Sequence, residues 1–211
     1  KKVKNMKISY AITCYNEIEE TKRLLKFLVK HSREQDEIVV FWDNNGPEEL
    51  RNFLEEFYNS NPINFYAITF NKNFSELKNS LKKECNGDYI FQIDADEMLT
   101  EEFINQLPDI LETNSNVEMF RVPRVNTVEG ITQQHIQQWR WNVDENGWVN
   151  WPDYQDRILK NKEEIKWERP VHEIITGYKT VSELPADPLF ALIHEKTIEK
   201  QEKQNQLYNT I

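Results

Sequence analysis

Glycine, cysteine and long apolar runs are all scarce in this chain of 211 residues. Five glycines and eight prolines exclude collagen-like and low-complexity chains. The two cysteines, Cys14 and Cys85, are too few for a disulfide framework and lack the spacing of metal ligands, so we expect reduced thiols and a cytoplasmic protein. No apolar stretch approaches the roughly 20 residues that span a bilayer, so no transmembrane segment is predicted. We also expect no signal peptide, and we expect Met6 to be the natural start, with residues 1–5 ahead of it.

Positive charge is in deficit, because 26 lysines and arginines face 36 acidic residues and give a net charge of −10 at pH 7. Sequence-independent binding to nucleic acid depends on basic residues that neutralise phosphates, so we do not expect a nucleic-acid partner. A nucleotide ligand is still compatible with this charge, since a bound metal ion supplies local positive charge. The hydrophobic fraction of 38% indicates a globular chain, and the length suits a single domain over 1–211.

Three carboxylates follow an apolar run that has the length and composition of a buried strand. Residues 89–93 form the run, and Asp94, Asp96 and Glu97 come directly after it. Carboxylates this close repel one another, so a cation usually lies among them. Magnesium or manganese bridged to substrate phosphates fits this pattern best. The alternative is a helix cap, because Thr100 and the two acids after it have the pattern of a helix start.

Strands and helices alternate through the first half of the chain. Strands are predicted at residues 7–13, 37–42, 64–69 and 89–93, and helices at residues 18–31, 48–58, 75–84 and 101–114. This order predicts an α/β fold with a mostly parallel sheet and helices on both faces. Polar residues follow each strand, and ligands of such sheets bind at the carboxyl ends of the strands. We therefore expect one shared site at that edge.

The second half has a different pattern. Residues 117–125 are predicted as one strand, residues 156–160 and 164–167 as short strands, and residues 196–208 as a charged helix that extends into solvent or packs on a neighbour. Five of the six tryptophans lie between Trp139 and Trp167. This segment indicates a smaller Trp-rich lobe, in which the tryptophans either fill a core or stack on a sugar, and Trp167 is expected to be buried.

Several short motifs stand in the order typical of family 2 glycosyltransferases with the Rossmann-like GT-A fold. The motifs are Thr13-Cys14-Tyr15-Asn16-Glu17, residues 38–44, Lys78-Asn79, Gly87-Asp88-Tyr89, Asp94-Ala95-Asp96-Glu97, Asp156-Arg157-Ile158, Val171-His172-Glu173 and Leu192-Ile193-His194. Each motif is weak alone, but the ordered set resembles this family over nearly the whole chain, in particular a bacterial and phage subgroup of cell-wall or protein-modifying enzymes. The resemblance implies a nucleotide-sugar-binding half at 1–100 and an acceptor-side half with a C-terminal helix at 101–211.

The resemblance implies a donor site at the strand ends. Thr13 and Tyr15 match residues that line the nucleobase pocket, and Asp43 matches the acid that contacts the base or ribose. Lys78 is expected to reach the base or the phosphates. The implied donor-binding positions are Thr13, Tyr15, Asn16, Glu17, Asp43, Lys78, Asn79, Asp94 and Ala95.

The resemblance also implies a metal site and a catalytic base. Asp96 matches the acid of the DxD motif that ligates Mn2+ or Mg2+ directly, with Asp94 and His194 as further ligands. Glu173 stands where the subgroup has a candidate base, and Asp153 and Asp156 are its rivals. The implied acceptor contacts are Trp148, Trp151, Asp153, Arg157 and His172.

Taken together, the residues predict a transferase that moves a sugar from a nucleotide-diphosphate donor, in the first place a UDP-sugar, by direct displacement with inversion. The expected acceptor is a glycan, a lipid-linked saccharide or a protein. The alternative is a glycosyltransferase-like module that binds nucleotide or glycan without turnover. A nucleotidyltransferase ranks lower, because no glycine-rich phosphate loop follows the first strand. The sequence makes no prediction about oligomeric state.

Overall fold

The computed structural model describes residues 6–210, so residues 1–5, which are expected to precede the natural start, lie outside the described residues. The strands are β1 (Ile8–Cys14), β2 (Glu37–Asp43), β3 (Asn64–Ile68), β4 (Tyr89–Asp94), β5 (Glu97–Met98), β6 (Met119–Val122), β7 (Arg124–Glu129), β8 (Gln155–Lys160), β9 (Lys166–Glu168), β10 (Ile174–Thr176), β11 (Val181–Glu183) and β12 (Leu192–Thr197). The helices are α1 (Ile18–His31), α2 (Glu48–Ser60), α3 (Phe74–Lys83), α4 (Glu101–Thr113), α5 (Gln133–Trp139) and α6 (Ile198–Tyr208). In the described part of the chain, no helix is long and apolar enough to cross a membrane.

The largest sheet has the strand order β11-β6-β8-β4-β1-β2-β3. Strands β3, β2, β1 and β4 are parallel, whereas β8 pairs antiparallel with both β4 and β6. Parallel neighbours cannot be joined by a tight turn, so α1, α2 and α3 serve as the crossovers. The predicted mostly parallel α/β sheet is confirmed.

Both faces of this sheet are covered by helices, as predicted. Successive side chains of a strand point to opposite faces, which divides the apolar residues of β1 and β4 into two cores. Tyr10, Ile12 and Phe91 pack in the core that also contains the buried leucines of α1, α2 and α4. Ala11 and Ile90 pack in the other core, with residues of α3 and of the β9–β10 hairpin.

The second half departs from prediction at two elements. Residues 117–125 form two strands rather than one, since Pro123 lies between β6 and β7 and has no N–H to donate to a ladder. Strand β7 then joins a separate sheet with the order β5-β12-β7. Helix α6 does not extend into solvent; it packs on its own chain against β7 and β12.

The tryptophan-rich segment contains paired aromatic rings. Trp148 and Trp151 meet edge to face with their ring centroids 5.1 Å apart, and the centroids of Trp139 and Trp141 are 4.8 Å apart. Trp167 is buried in the core beside α3, as expected. Pairing of this kind suits rings that fill the space between short strands and loops. The smaller lobe, as a separate unit, stays a prediction.

Candidate functional site

The polar strand ends meet where the order of the large sheet changes direction. From β1 the chain proceeds outward to β2 and β3, and β4 then returns to the other side of β1. Thr13 at the end of β1 lies in register with Asp94 at the end of β4, and its hydroxyl donates to Asp94 Oδ1 at 3.4 Å. Open α/β sheets bind ligands in the crevice at such a switch point. The structure therefore brings two of the predicted donor-site residues together there.

Two of the three clustered carboxylates are neutralised by arginines. Arg157 Nη2 donates to Asp94 Oδ2 and to Glu97 Oε1, each at 2.8 Å. Arg124 Nη1 lies 3.1 Å from the same Glu97 oxygen. Glu97 is completely buried and Arg157 is 5% exposed, so both charges depend on these contacts. The repulsion that the sequence predicts between the acids is offset in large part by guanidinium groups.

Asp94 remains ionised in this setting. Burial by itself raises the pKa of Asp94, but the charges of Arg157 and Lys78 and a hydrogen bond from Gln92 outweigh burial and hold it well below its usual range. Burial likewise lowers the pKa of Arg157, and the charges of Asp94 and Glu97 more than compensate. The guanidinium group of Arg157 is thus paired with two acids, and its predicted contact with the acceptor stays a prediction.

The third carboxylate, Asp96, faces a histidine. His194 lies on β12 between Glu97 on β5 and Asn126 on β7. Its Nε2 is 3.2 Å from Asp96 Oδ2, and its Nδ1 is 2.8 Å from Asn126 Oδ1. The ammonium group of Lys200, on α6, lies 3.1 Å from the same Asp96 oxygen.

The hydrogen bonds around His194 determine which of its nitrogens is free. The amide nitrogen of Asn126 donates to Asp153, so the amide oxygen of Asn126 faces His194 and accepts from Nδ1–H. In neutral His194 the lone pair of Nε2 then points at the carboxylate of Asp96. The lone pairs of Nε2 and of the Asp96 oxygen repel each other unless a cation lies between them or Nε2 carries a proton. Outer hydrogen bonds of this type commonly orient metal-ligating histidines.

The charge of Asp96 is stabilised by its neighbours. Burial raises the pKa of Asp96, but the hydrogen bond and charge of His194 and the charge of Lys200 outweigh burial and hold it well below its usual range. The pKa of Lys200 is raised in turn, since the attraction of Asp96 exceeds the effect of burial. Asp96 is thus an anion with one oxygen directed at positive groups.

A divalent ion fits this donor set only in part. Among residues 6–210, no group of three or more histidine, cysteine or acidic side chains is arranged to hold a metal. The structure brings together Asp96 and His194, while Asp94, the other predicted ligand, is bound to Arg157. Two protein ligands suit a magnesium or manganese ion that takes its remaining oxygens from phosphates and water. Asp96 and His194 would therefore hold the ion, and Asp94 would not ligate it directly.

The nucleobase side of the predicted site lies at the ends of β1 and β2. Asp43 Oδ1 accepts hydrogen bonds from the backbone N–H groups of Asn45 at 3.1 Å and Phe70 at 3.3 Å. Among the described residues none is bonded to Oδ2, so this oxygen is available to a ligand. Tyr15 is 45% exposed, as a stacking residue requires. Glu17 closes the loop locally, by accepting the backbone N–H groups of Tyr15 and Asn16 at 3.0 and 3.1 Å.

Three other predicted donor contacts take up structural positions. Ala95 is buried, and its N–H donates to the Thr13 carbonyl at 3.2 Å. The Asn79 amide is bonded on both sides to the backbone of Trp167, at 2.8 and 2.9 Å, so this side chain attaches α3 to β9 rather than reaching a donor. Lys78 is buried and paired with Glu173.

The predicted base and most of the predicted acceptor residues lie on loops of the second half, whereas Arg157 lies on β8. Glu173 ends the loop between β9 and β10, where Arg169 and His172 adopt φ values of 77° and 50°. The carboxylate of Glu173 is paired with the ammonium group of Lys78, on α3. Asp153 is bound to Arg124 Nη2 at 2.9 Å, which occupies one oxygen of this rival base.

Comparison with known protein families shows which family this chain is from. The model of the family described as Glycosyl transferase family 2 matches residues 9–180, most of the chain. The chain belongs to this family. The match includes β1, the acid cluster, Glu173 and the arginines of the site, whereas His194 and Lys200 of this family 2 chain lie beyond it. No curated protein matches the chain.

Solved structures of TarS from S. aureus share the fold of this family 2 glycosyltransferase. One TarS structure has a TM-score of 0.58 and 13% identity, and the alignment covers 95% of this chain and 38% of that one. TarS 1–349 in complex with UDP-GlcNAc has a TM-score of 0.60 and 15% identity, with 90% of this chain and 59% of that chain covered. TarS 1–349 in complex with UDP has a TM-score of 0.60 and 14% identity, and the alignment covers 96% of this chain and 64% of that chain. The fold is GT-A, and this chain spans less than two thirds of the TarS chains.

Sequence reasoning missed several residues of this family 2 site. Arg124 and Asn126 are two apart on β7 and so share one face, which is a recognisable signal on a strand. Glu97 is visible in the sequence as an acid, but its position at the centre of an ion-pair network is not. Lys200 and Tyr208 lie eight residues apart on α6, and nothing local in a charged helix indicates that it turns back over a site.

Proposed function

We propose that this chain is a metal-dependent glycosyltransferase that moves a sugar from a nucleoside diphosphate onto an acceptor nucleophile. Family membership over residues 9–180 supports the reaction class. Uridine diphosphate sugars are the proposed donors, and UDP-GlcNAc, which is bound to TarS in a solved structure, is the first to test. The proposed ion is Mn2+ or Mg2+.

The observation that carries this proposal is the facing pair of Asp96 Oδ2 and His194 Nε2, 3.2 Å apart. Asn126 Oδ1 accepts a hydrogen bond from His194 Nδ1–H, so the pair offers two ligand atoms to a cation at the carboxyl end of the sheet. Asp96 and His194 would hold a divalent ion there, and the ion would supply Lewis-acid stabilisation of the charge that develops on the leaving diphosphate.

The remaining residues bind and orient the donor. Tyr15 offers an exposed ring to the nucleobase, and the second oxygen of Asp43 accepts from the base or ribose. Asp94 is held by Arg157 and Thr13 beside Asp96, where its fixed charge suits a ribose hydroxyl. A donor bound in this way extends across the ends of β2, β1 and β4.

The proposed reaction is a single displacement with inversion. The acceptor oxygen forms a bond to the anomeric carbon, the bond from that carbon to the diphosphate breaks, and the nucleoside diphosphate leaves with the electron pair. Glu173 takes the acceptor proton as general base. Within the described residues its carboxylate is bonded only through Oε1, to Lys78, so Oε2 is available for that proton.

The acceptor side comprises the loops that carry Trp148, Trp151, Asp153 and His172. The paired rings of Trp148 and Trp151 present apolar faces of the type on which sugars stack. We propose a glycan, a lipid-linked saccharide or a protein as acceptor. The net charge of −10 argues against nucleic acid.

Calorimetry tests the donor and metal site by measuring UDP binding to the chain in the presence of Mn2+. The same measurement in EDTA gives the affinity without metal. We expect UDP to bind the unmodified chain in Mn2+, and Asp96→Asn to weaken this binding by about 10- to 100-fold, because one of two protein ligands is removed. Asp109→Asn is the matched control, since Asp109 is an exposed residue of α4.

Three results would contradict the proposal. They are the absence of UDP binding to the unmodified chain, equal UDP affinities in Mn2+ and EDTA, and unchanged affinity in Asp96→Asn. Release of UDP from UDP-GlcNAc then separates an enzyme from the alternative, a module that binds nucleotide without turnover.

A further inference from the structure

Helix α6 lies across the edge of the sheet where the candidate site is built. At its first turn Lys200 contacts Asp96 at 3.1 Å and Glu20 of α1 at 3.5 Å. At its last turn the ring of Tyr208 lies against His172 and Phe74, with centroids 5.3 and 6.2 Å apart. The helix therefore extends from the metal-binding pair to the loop that carries the proposed base.

One face of α6 is directed at the site. Lys200, Gln204 and Tyr208 are spaced four residues apart and so lie on the same side of the helix. Gln204 accepts from Lys196 at 3.3 Å and donates to the Tyr208 hydroxyl at 2.9 Å. Lys203, on another side, is exposed. This pattern explains why a helix with little apolar surface packs on its own domain.

Lys200 takes a position that a divalent ion would need. Its ammonium group and His194 Nε2 both approach Asp96 Oδ2, at 3.1 and 3.2 Å. An ion bound to Asp96 and His194 would meet this ammonium group at close range, and like charges repel. The Lys200 side chain is 35% exposed and has a flexible four-carbon stem, so its ammonium group is free to move away.

We propose that Lys200 is a donor-binding cation that holds Asp96 before the donor arrives and moves to the diphosphate when a divalent ion takes its place. The first step is the contact with Asp96 and the second is the move to the diphosphate, and the second step rests on the proposed function. A diphosphate bound beside the ion carries further negative charge, and its oxygens can accept charge-assisted hydrogen bonds from the displaced ammonium group. Lys196 is a poorer candidate, because its amine is directed at Gln204.

The test measures Mn2+ and UDP binding separately, by calorimetry, for the unmodified chain and for Lys200→Met. We expect Mn2+ alone to bind Lys200→Met about 5- to 10-fold more tightly, because the competing cation is gone. At saturating Mn2+, UDP should bind the same variant about 10-fold more weakly, since a charge-assisted contact is lost. Uridine, which has no phosphate, should bind both proteins equally.

Two further variants complete the test. Lys203→Met removes a lysine from the exposed side of α6 and should change neither affinity. Lys200→Arg keeps the positive charge and should restore UDP binding. Unchanged Mn2+ affinity in Lys200→Met would overturn the first step, and unchanged UDP affinity would overturn the second. If the unmodified chain binds Mn2+ but no UDP, the proposed function and the second step both fail, and the Mn2+ comparison still decides the first.

Discussion

At the level of single residues, the three carboxylates at the end of β4 differ in the cations that they face. Asp94 and Glu97 share Arg157, and Glu97 is also paired with Arg124. Only Asp96 faces a histidine. Because a guanidinium group neutralises a carboxylate permanently, Asp94 and Glu97 are suited to fixed structural and orienting roles, and Asp96 is left to exchange one cation for another.

The proposed base, Glu173, also differs from its rival at this scale. The Asp153 carboxylate accepts from Arg124 and Asn126 through one oxygen and from Gln155 through the other, at 3.2 Å. Both oxygens of Asp153 are therefore engaged. Glu173 is bonded through one oxygen only among the residues that the structure describes.

Glu173→Gln tests the assignment of the base. We expect kcat to fall by about 100- to 10,000-fold, because glutamine cannot accept the acceptor proton. UDP affinity in Mn2+ should be unchanged, since the donor site lies at the strand ends. Steady-state kinetics with a donor sugar and calorimetry with UDP measure the two quantities.

Glu168→Gln is the control for Glu173→Gln, because Glu168 is an exposed glutamate of β9 in the same hairpin. It should leave kcat unchanged. If Asp153→Asn abolished turnover while Glu173→Gln did not, the role of base would belong to Asp153.

At the scale of elements, the small sheet of β5, β12 and β7 completes the site that the large sheet begins. Its registers set His194 beside Glu97 on one side and Asn126 on the other. The large sheet contributes Thr13 and Asp94 through the pairing of β1 with β4. The site is thus formed where two sheets meet, at the short connection between β4 and β5.

The loops after β1 and β2 are held together by a close approach at Gly46. A Cβ atom on Gly46 would lie 2.1 Å from the Tyr15 carbonyl oxygen and 2.8 Å from Trp42 Nε1. A backbone atom at that distance cannot coexist with a side chain, so one loop would have to move. The turn of residues 44–47 therefore supports Tyr15 directly.

Gly46→Ala should destabilise the chain by about 1 to 3 kcal/mol, as overpacking does, and should weaken uridine binding by displacing Tyr15. Denaturant unfolding and calorimetry with uridine measure the two effects. Gly147→Ala is the control: no heavy atom lies within 4 Å of its Cβ position, and its φ of 78° costs about 1 kcal/mol for a residue other than glycine. A Gly46→Ala variant with normal stability and uridine affinity would contradict this account of the loops.

At the scale of the whole molecule, stability depends on partly buried carboxylates that are ionised in the folded state. The pKa of Asp94 and that of Asp96 are below their usual range, because neighbouring cations outweigh the effect of burial. A carboxyl group with a depressed folded pKa adds stability above its unfolded pKa of about 4 and loses it as the pH falls further.

The unfolding free energy should therefore decrease by about 2 to 3 kcal/mol between pH 5.5 and pH 2.5. Urea unfolding followed by circular dichroism measures it at these two pH values, which lie on either side of the isoelectric point near 5.0, where net charge vanishes. The decrease should be smaller in Asp96→Asn, which lacks one of these carboxylates. A decrease of the same size in both proteins would mean that other acids are responsible.

The extent of the chain bears on its organisation. It spans 38% to 64% of the TarS chains that it matches. The single domain over 1–211, the smaller Trp-rich lobe and the cytoplasmic location stay predictions.

The sequence by itself determined the alternation of strands and helices and the acids that follow β4. The predicted helix at residues 18–31 has the bounds of α1, and predicted strands in the first half lie within one residue of those observed. Apolar periodicity and strand ends are local properties, so they can be read from neighbouring residues. Motif order also identified the family correctly.

Only the tertiary structure decided which acid meets which cation. Arg157 is 60 residues from Glu97 and His194 is 98 residues from Asp96, so no local pattern pairs them. Long-range registers of β8 and β12 set these contacts, and the return of α6 over the site brings Lys200 to Asp96. Charge pairing depends on distance in space, and that distance exists only after the sheets and α6 have packed.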